Sequence, residues 1–269
     1  MPEMRLLILV AVFFVTSGVS VVTGSTSVIT VPVMMQFGID PRVAVATNMF
    51  ALTFMSVGGS LPMLKTSMPE KRRLPLLIVL TLLGSAIGAM LLLTIPSRVV
   101  PVVVSTAIIG LAVFSMAYRQ TGVDPSPLLP AGRGLEITGY ALTFLLGIYG
   151  GLFSGGYVTI LTAIFVATFR MSFIQAIATT KLINIFSSGI ASAIFMERGL
   201  VDYRLGAILG LTMFLGAWLG GRYARRLSNL WLRRIYLAAV WLLGLKTLLF
   251  DVLGHHGASA RNPASAPSK

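Results

Sequence analysis

The chain of 269 residues has no cysteine, only two histidines and only eight acidic residues. Without thiols there is neither a disulfide framework nor a thiolate metal site, and His255 and His256 stand side by side in a polar C-terminal stretch where no imidazole cage can be assembled. No cofactor or metal is expected. The acids Glu3, Asp40, Glu70, Asp124, Glu136, Glu197, Asp202 and Asp251 all fall at segment ends, in connections or in the tail region. The apolar segments therefore hold no acidic cage for a divalent cation and no carboxylate proton relay. A Walker-type glycine-lysine loop is also missing, which argues against ATP-driven work by this chain alone. Nor do the apolar segments hold candidates for a Ser-His-Asp triad or paired carboxylates, so the chain reads as a non-enzyme.

What the chain does have is apolar sequence: 56% of its residues are hydrophobic and 11% are charged. Apolar segments recur at about 5–23, 25–37, 42–63, 74–95 and 99–118, then at about 137–153, 157–169, 173–195, 204–225 and 229–250. The pattern predicts an all-α polytopic membrane protein. Its membrane parts are 1–118 and 137–253, joined by a Pro- and Gly-rich linker over 119–136 and followed by a disordered tail over 254–269. The net charge of +13 would suggest nucleic acid in a soluble protein. Here the basic residues cluster between apolar segments, where lipid topology accounts for them, so the expected surroundings are membrane lipid and no nucleic acid. The first apolar segment could pass for a signal peptide, but its participation in a repeat predicts that it is retained.

Displacing the sequence on itself by 132 positions aligns Gly18 with Gly150, Gly24 with Gly156 and Thr30 with Thr162. The same ungapped register sets Ala44-Val45-Ala46-Thr47 on Ala176-Ile177-Ala178-Thr179, and Gly84/Gly88 on Gly216/Gly220. A duplication of about five segments explains this. Basic residues then orient the halves. The connection after the third segment is basic in the first half (Lys65, Lys71, Arg72, Arg73), whereas the connection after the fourth is basic in the second half (Arg222, Arg225, Arg226, Arg233, Arg234). If basic connections share one side of the membrane, the two repeats are inverted. The segments at 25–37 and 157–169 reach only about 20 Å as helix, short of a hydrocarbon core of about 30 Å. Each follows a glycine and hydroxyl cluster, so the first two segments of each repeat are expected to form a broken or re-entrant hairpin.

Short interrupted segments at matching places in two inverted repeats point to a transporter site near the midplane. A helix that begins inside the bilayer presents unpaired N–H groups and the positive end of its dipole, and glycine lets a ligand approach the backbone, so such a pocket favours an anion. The candidate site residues are Gly24, Ser25, Thr26, Thr47, Asn48, Gly155, Gly156, Tyr157, Thr179, Thr180 and Lys181. Lys181 is the informative one, because a cation inside an apolar segment costs roughly 2.5–3.5 kcal/mol and calls for a partner. With no acid at that depth, the simplest partner is the charge of the substrate; the alternatives are snorkelling or a backbone carbonyl at a helix break. The glycines at 84, 88, 216 and 220 read better as helix-packing residues, and any one hydroxyl could serve its own helix instead of a ligand.

With the glycine-broken first segment, the Ala-Val-Ala-Thr-Asn and Ala-Ile-Ala-Thr-Thr repeats and the basic Gly216-x-x-x-Gly220-Gly221-Arg222 element, the chain resembles the sulfite exporter TauE/SafE family over residues 5–250. It departs from the family pattern at Thr23-Gly24-Ser25, where a glycine triplet is usual, and at Ile164, where a proline is usual. The resemblance implies a permease in the bacterial cytoplasmic membrane that carries a sulfur oxyanion or organosulfonate by alternating access. The competing expectation is a non-transporting membrane scaffold. The sequence leaves a homodimer open.

Overall fold

In hydrocarbon a backbone must satisfy its own hydrogen bonds, and a long apolar run does so as a helix. In a computed structural model of the protein, the described residues (3–24, 26–64, 72–117 and 132–224, with 226, 227, 231 and 234) contain nine helices and no strand. They are α1 (Glu3–Thr23), α2 (Ser27–Gln36), α3 (Pro41–Leu64), α4 (Leu74–Thr94), α5 (Val100–Ala117), α6 (Arg133–Leu152), α7 (Tyr157–Phe169), α8 (Phe173–Glu197) and α9 (Tyr203–Ala224). Six of these, α1, α3, α4, α6, α8 and α9, are long and apolar enough to cross a membrane. The segment expected at 229–250, the tail over 254–269 and residues 118–131 of the linker lie outside the described residues. The helix expected from about 137 starts earlier, at Arg133, where Arg73 holds Glu136 in its first turn by an ion pair.

Depth in the fold follows polarity. In α3 and α8 the core stretch is 72% and 61% buried, against 28% in α6, so the two helices richest in buried Ser, Thr and Asn form the centre. They run antiparallel. Thr53 meets Ser192, Ser56 meets Asn184, and Gly59 meets the Lys181 side chain, so positions rise along one helix as they fall along the other. The fourth helix of each half crosses to the other half: α4 lies on α6 and α8, and α9 lies on α1 and α3.

The glycine pairs make these crossings. A methyl group on Gly88 would run into the Ile148 carbonyl of α6, and one on Gly220 into the Gly18 carbonyl of α1. Between apolar helices in lipid, where burial gives no driving force, such backbone approach supplies the dispersion contacts that hold the pair.

The short helices fold back. The end of α7 returns to the start of α6, with the Phe169 ring 5.2 Å from that of Tyr140. Thus α6 and α7 form a hairpin whose outer ends sit together. In the first half α2 runs back along α3, with Thr30 and Ser27 both bonded to Asn48.

Gly88→Ala is expected to cost about 1–3 kcal/mol, because backbone atoms on both sides would have to part. Gly110→Ala, with nothing near the added methyl, should cost nothing. Thermal unfolding of the purified proteins in detergent checks this, and equal stability of the two variants would contradict the close α4–α6 approach.

Candidate functional site

The two hairpins meet at their tips. Thr23 ends α1, Gly24 adopts a left-handed conformation (φ +75°), and α2 starts at Ser27. In the second half Gly156 takes the same conformation (φ +81°) just ahead of α7. A side chain at φ near +80° is strained, which is why glycine stands at both turns. The tips are joined by hydroxyls: Ser27 Oγ lies 2.8 Å from Ser154 Oγ, and Thr159 donates to the Thr23 carbonyl at 2.5 Å. A methyl on Gly24 would stand 2.8 Å from the Thr159 nitrogen, so the turn also needs glycine for space.

Beneath this junction is a buried cavity lined by Gly24, Thr26 and Ser27 of the first tip, Ser154 and Val158 of the second, Leu52 and Met55 of α3, and Lys181 and Asn184 of α8. Asn184 is at the middle of α8, so the cavity sits near mid-membrane. Measured at the centre of a water molecule its volume is about 10 Å³, room for about one water. Both half-helices begin at this cavity, bringing two positive dipole ends together. Lys181, 1% exposed, is the one ionisable residue of the lining among the described residues. Its ammonium donates to the Ser20 carbonyl at 2.9 Å. The bonded partner is therefore a carbonyl at the broken end of α1, not a carboxylate, and the negative end of that helix offsets part of the cost of burying a cation.

Of the residues expected at a site, Gly24, Thr26 and Lys181 line the cavity, and Ser25 lies outside the described residues. Asn48 stands one bond behind the lining. Its amide donates to Ser27 at 2.8 Å and its oxygen accepts from Thr30 at 2.7 Å. Thr180, its counterpart in the repeat, makes the equivalent contact with Thr162 at 3.2 Å.

The others turn elsewhere. Thr47 caps the connection after α8 by accepting from the Asp202 amide at 3.1 Å. Thr179 is buried, its hydroxyl without a hydrogen-bond partner among the described residues. Gly155 and Gly156 face Phe153 and Leu111. Tyr157 extends toward Thr81 and Ser187, too loosely for a hydrogen bond by strict geometry.

The residues that sequence reasoning left out of the site are Ser27, Ser154 and Asn184, with Leu52, Met55 and Val158 as apolar lining. Asn184 follows Lys181 by three positions, one helical turn along the same face, and that spacing was the available signal. No cluster of three or more metal-ligating side chains occurs among the described residues.

The family profile described as "Sulfite exporter TauE/SafE" matches residues 9–247. A Sinorhizobium protein named "Probable membrane transporter protein ORF9" is 27% identical over 217 residues, covering 78% of this chain and 80% of its own. A Haemophilus influenzae "Probable membrane transporter protein" is 25% identical, covering 81% and 84% respectively. The Escherichia coli K12 protein named "Probable membrane transporter protein YfcA" is 23% identical, covering 75% and 74%. No solved structure matches.

Gly24→Ala should cost about 2–4 kcal/mol, since it combines left-handed strain with a backbone clash. Gly38→Ala carries the strain (φ +83°) in open space and should cost only about 1–2 kcal/mol. Chemical or thermal unfolding ranks them; a Gly24 variant no weaker than the Gly38 variant would mean that the two tips are not in contact.

Proposed function

The chain belongs to the sulfite exporter TauE/SafE family, an integral multi-pass membrane protein and a permease like its relatives, and on that premise we propose that it carries a small oxyanion through the cavity between the hairpin tips. The observation that carries this proposal is the makeup of that cavity. The starts of two half-helices, two serines and Lys181 converge there, and no acid faces them among the lining residues. Backbone dipoles and a buried cation stabilise negative charge and disfavour positive charge. A sulfur oxyanion or a sulfonate suits the donors, being compact and rich in acceptors.

Antiparallel α3 and α8, the crossed α4 and α9, and hairpins that begin in opposite halves support an inverted-repeat design. In such a design the site is reached alternately from the two faces as one repeat rocks against the other. A cavity that holds about one water is too small for an oxyanion, so binding and release require the tips to separate. Thr26, Ser27 and Ser154 would donate to the anion, Asn48 would hold Ser27 in place, and Lys181 would balance the charge.

The test is ligand-induced thermal stabilisation of the purified protein with sulfite, thiosulfate, methanesulfonate, sulfate and acetate. A ligand at 100 times its Kd adds about 2.7 kcal/mol to the folded state. Lys181→Met installs the residue of the first repeat, Met49, and leaves the Ser20 carbonyl bonded to the Gly24 amide. The variant should fold and lose the anion-dependent shift. Absence of a shift from every anion in the parent protein, with an intact unfolding transition, would overturn the anion proposal.

A further inference from the structure

We infer that Asn184 makes the cavity selective for oxyanions that carry a proton, the hydrogen form of a weak acid, over anions that are fully ionised. This rests on the anion-permease proposal and narrows its substrate class. The Lys181 ammonium and the amides at the two helix starts only donate, and the hydroxyls of Thr26, Ser27 and Ser154 can donate or accept.

Asn184 is different. Its side-chain nitrogen donates to Ser56 Oγ at 2.6 Å, and its oxygen is buried with no hydrogen-bond partner among the described residues. The residue is 3% exposed and lines the cavity, so its oxygen is a side-chain group there that can only accept. A buried acceptor left unmet carries its full desolvation penalty, and the single water that fits the cavity is the natural occupant while no ligand is bound. A ligand that expels that water must bring an O–H of its own or lose the bond. A fully ionised sulfonate or dianion sets lone pairs against the amide oxygen. A hydrogen oxyanion donates to it and still offers acceptors to Lys181 and the serines.

The consequence is proton coupling without a protein relay. A hydrogen oxyanion crosses as one unit of charge −1; on the far side the O–H bond breaks, the proton goes to water and the dianion remains. Among the described residues no acid lines the cavity to shuttle that proton. Lys181, on the same helix, is the one ionisable side chain facing Asn184 in the lining; α1–α2 presents Gly24, Thr26 and Ser27, α3 presents Leu52, Met55 and Ser56, and α6–α7 presents Ser154 and Val158. Tyr149 is engaged with the Gly155 carbonyl, and Tyr157 extends toward Thr81 and Ser187.

Uptake of radiolabelled sulfite into liposomes holding the purified protein tests this, measured from mildly acidic to mildly alkaline pH. Sulfite takes up a proton near neutrality; methanesulfonate, the competitor, stays ionised throughout. The expected result is a KM that is constant when expressed as hydrogen sulfite, with methanesulfonate competing at least about tenfold more weakly, the loss expected for one unmet buried hydrogen bond. Asn184→Leu, which installs the counterpart residue of Leu52, should erase that preference.

A parent KM that follows total sulfite, or methanesulfonate competing as well as sulfite, overturns the inference and leaves the anion permease standing. With the Asn184 amide turned the other way the cavity gains a donor and the preference reverses, so the parent profile alone reads its orientation. Titration of Lys181 would change methanesulfonate inhibition with pH in the same manner as sulfite uptake, and that parallel also overturns the inference. Parent protein with no saturable uptake of either oxyanion defeats the anion proposal itself.

Discussion

The structure depends on how it closes two backbone breaks near mid-membrane, where no bulk water can take an orphaned carbonyl or amide. The Thr23 carbonyl is closed by the Thr159 hydroxyl and the Gly155 carbonyl by that of Tyr149, while the Ser20 carbonyl accepts from both the Gly24 amide and the Lys181 ammonium. The two side-chain closures that cross between halves both run from the second half to the first. The starts of α2 and α7 border one cavity, and on the proposed reading their dipole ends would favour negative charge at the same interruption that the closures render tolerable.

Holding two hairpin tips against each other requires close helix packing, and in lipid that comes from small residues more than from apolar burial. The crossings of α4 on α6 and of α9 on α1 use glycine at corresponding positions, 84 and 88 in one half and 216 and 220 in the other. The halves nevertheless differ where the chemistry is. At the positions where α8 carries Lys181 and Asn184, α3 carries Met49 and Leu52. One helix thus provides the charge and an amide, while the other faces the same cavity with Leu52 and Met55. The glycines match between the halves and these polar positions do not, so of the two central helices α8 alone offers the cavity polar side chains among the described residues.

Much of the fold could be read from the sequence because membrane helices are specified locally. Segment length, glycine punctuation and basic connections sit in plain view, and the nine described helices follow the expected segments with boundaries moved by a few residues. The site was less legible. Lys181 declared itself as a charge in an apolar run, but its bond to Ser20 depends on where α1 breaks, which lies 161 positions away. Tyr157 and the second glycine pair looked like site residues because they flank a break, yet a helix start has several faces and the structure turns theirs toward α4, α5 and Phe153. Thr47 was chosen as the counterpart of Thr179, and repeat position alone does not reveal that the connection after α8 takes its hydroxyl. Periodicity gives the face of a helix; the neighbour on that face is tertiary information.

The small cavity adds a constraint on motion. The tips are latched by the Ser27–Ser154 and Thr159–Thr23 bonds, and Asn48 ties the first tip to α3. Separating the tips in the empty protein would leave those polar groups unmet in a low-dielectric interior, at a cost of about 1–3 kcal/mol each. An anion arriving with several acceptors can satisfy Ser27 and Ser154 as they part. Under the anion-permease proposal the same hydroxyls would couple ligand binding to tip opening, and that barrier would keep an unloaded carrier from leaking ions down their gradients.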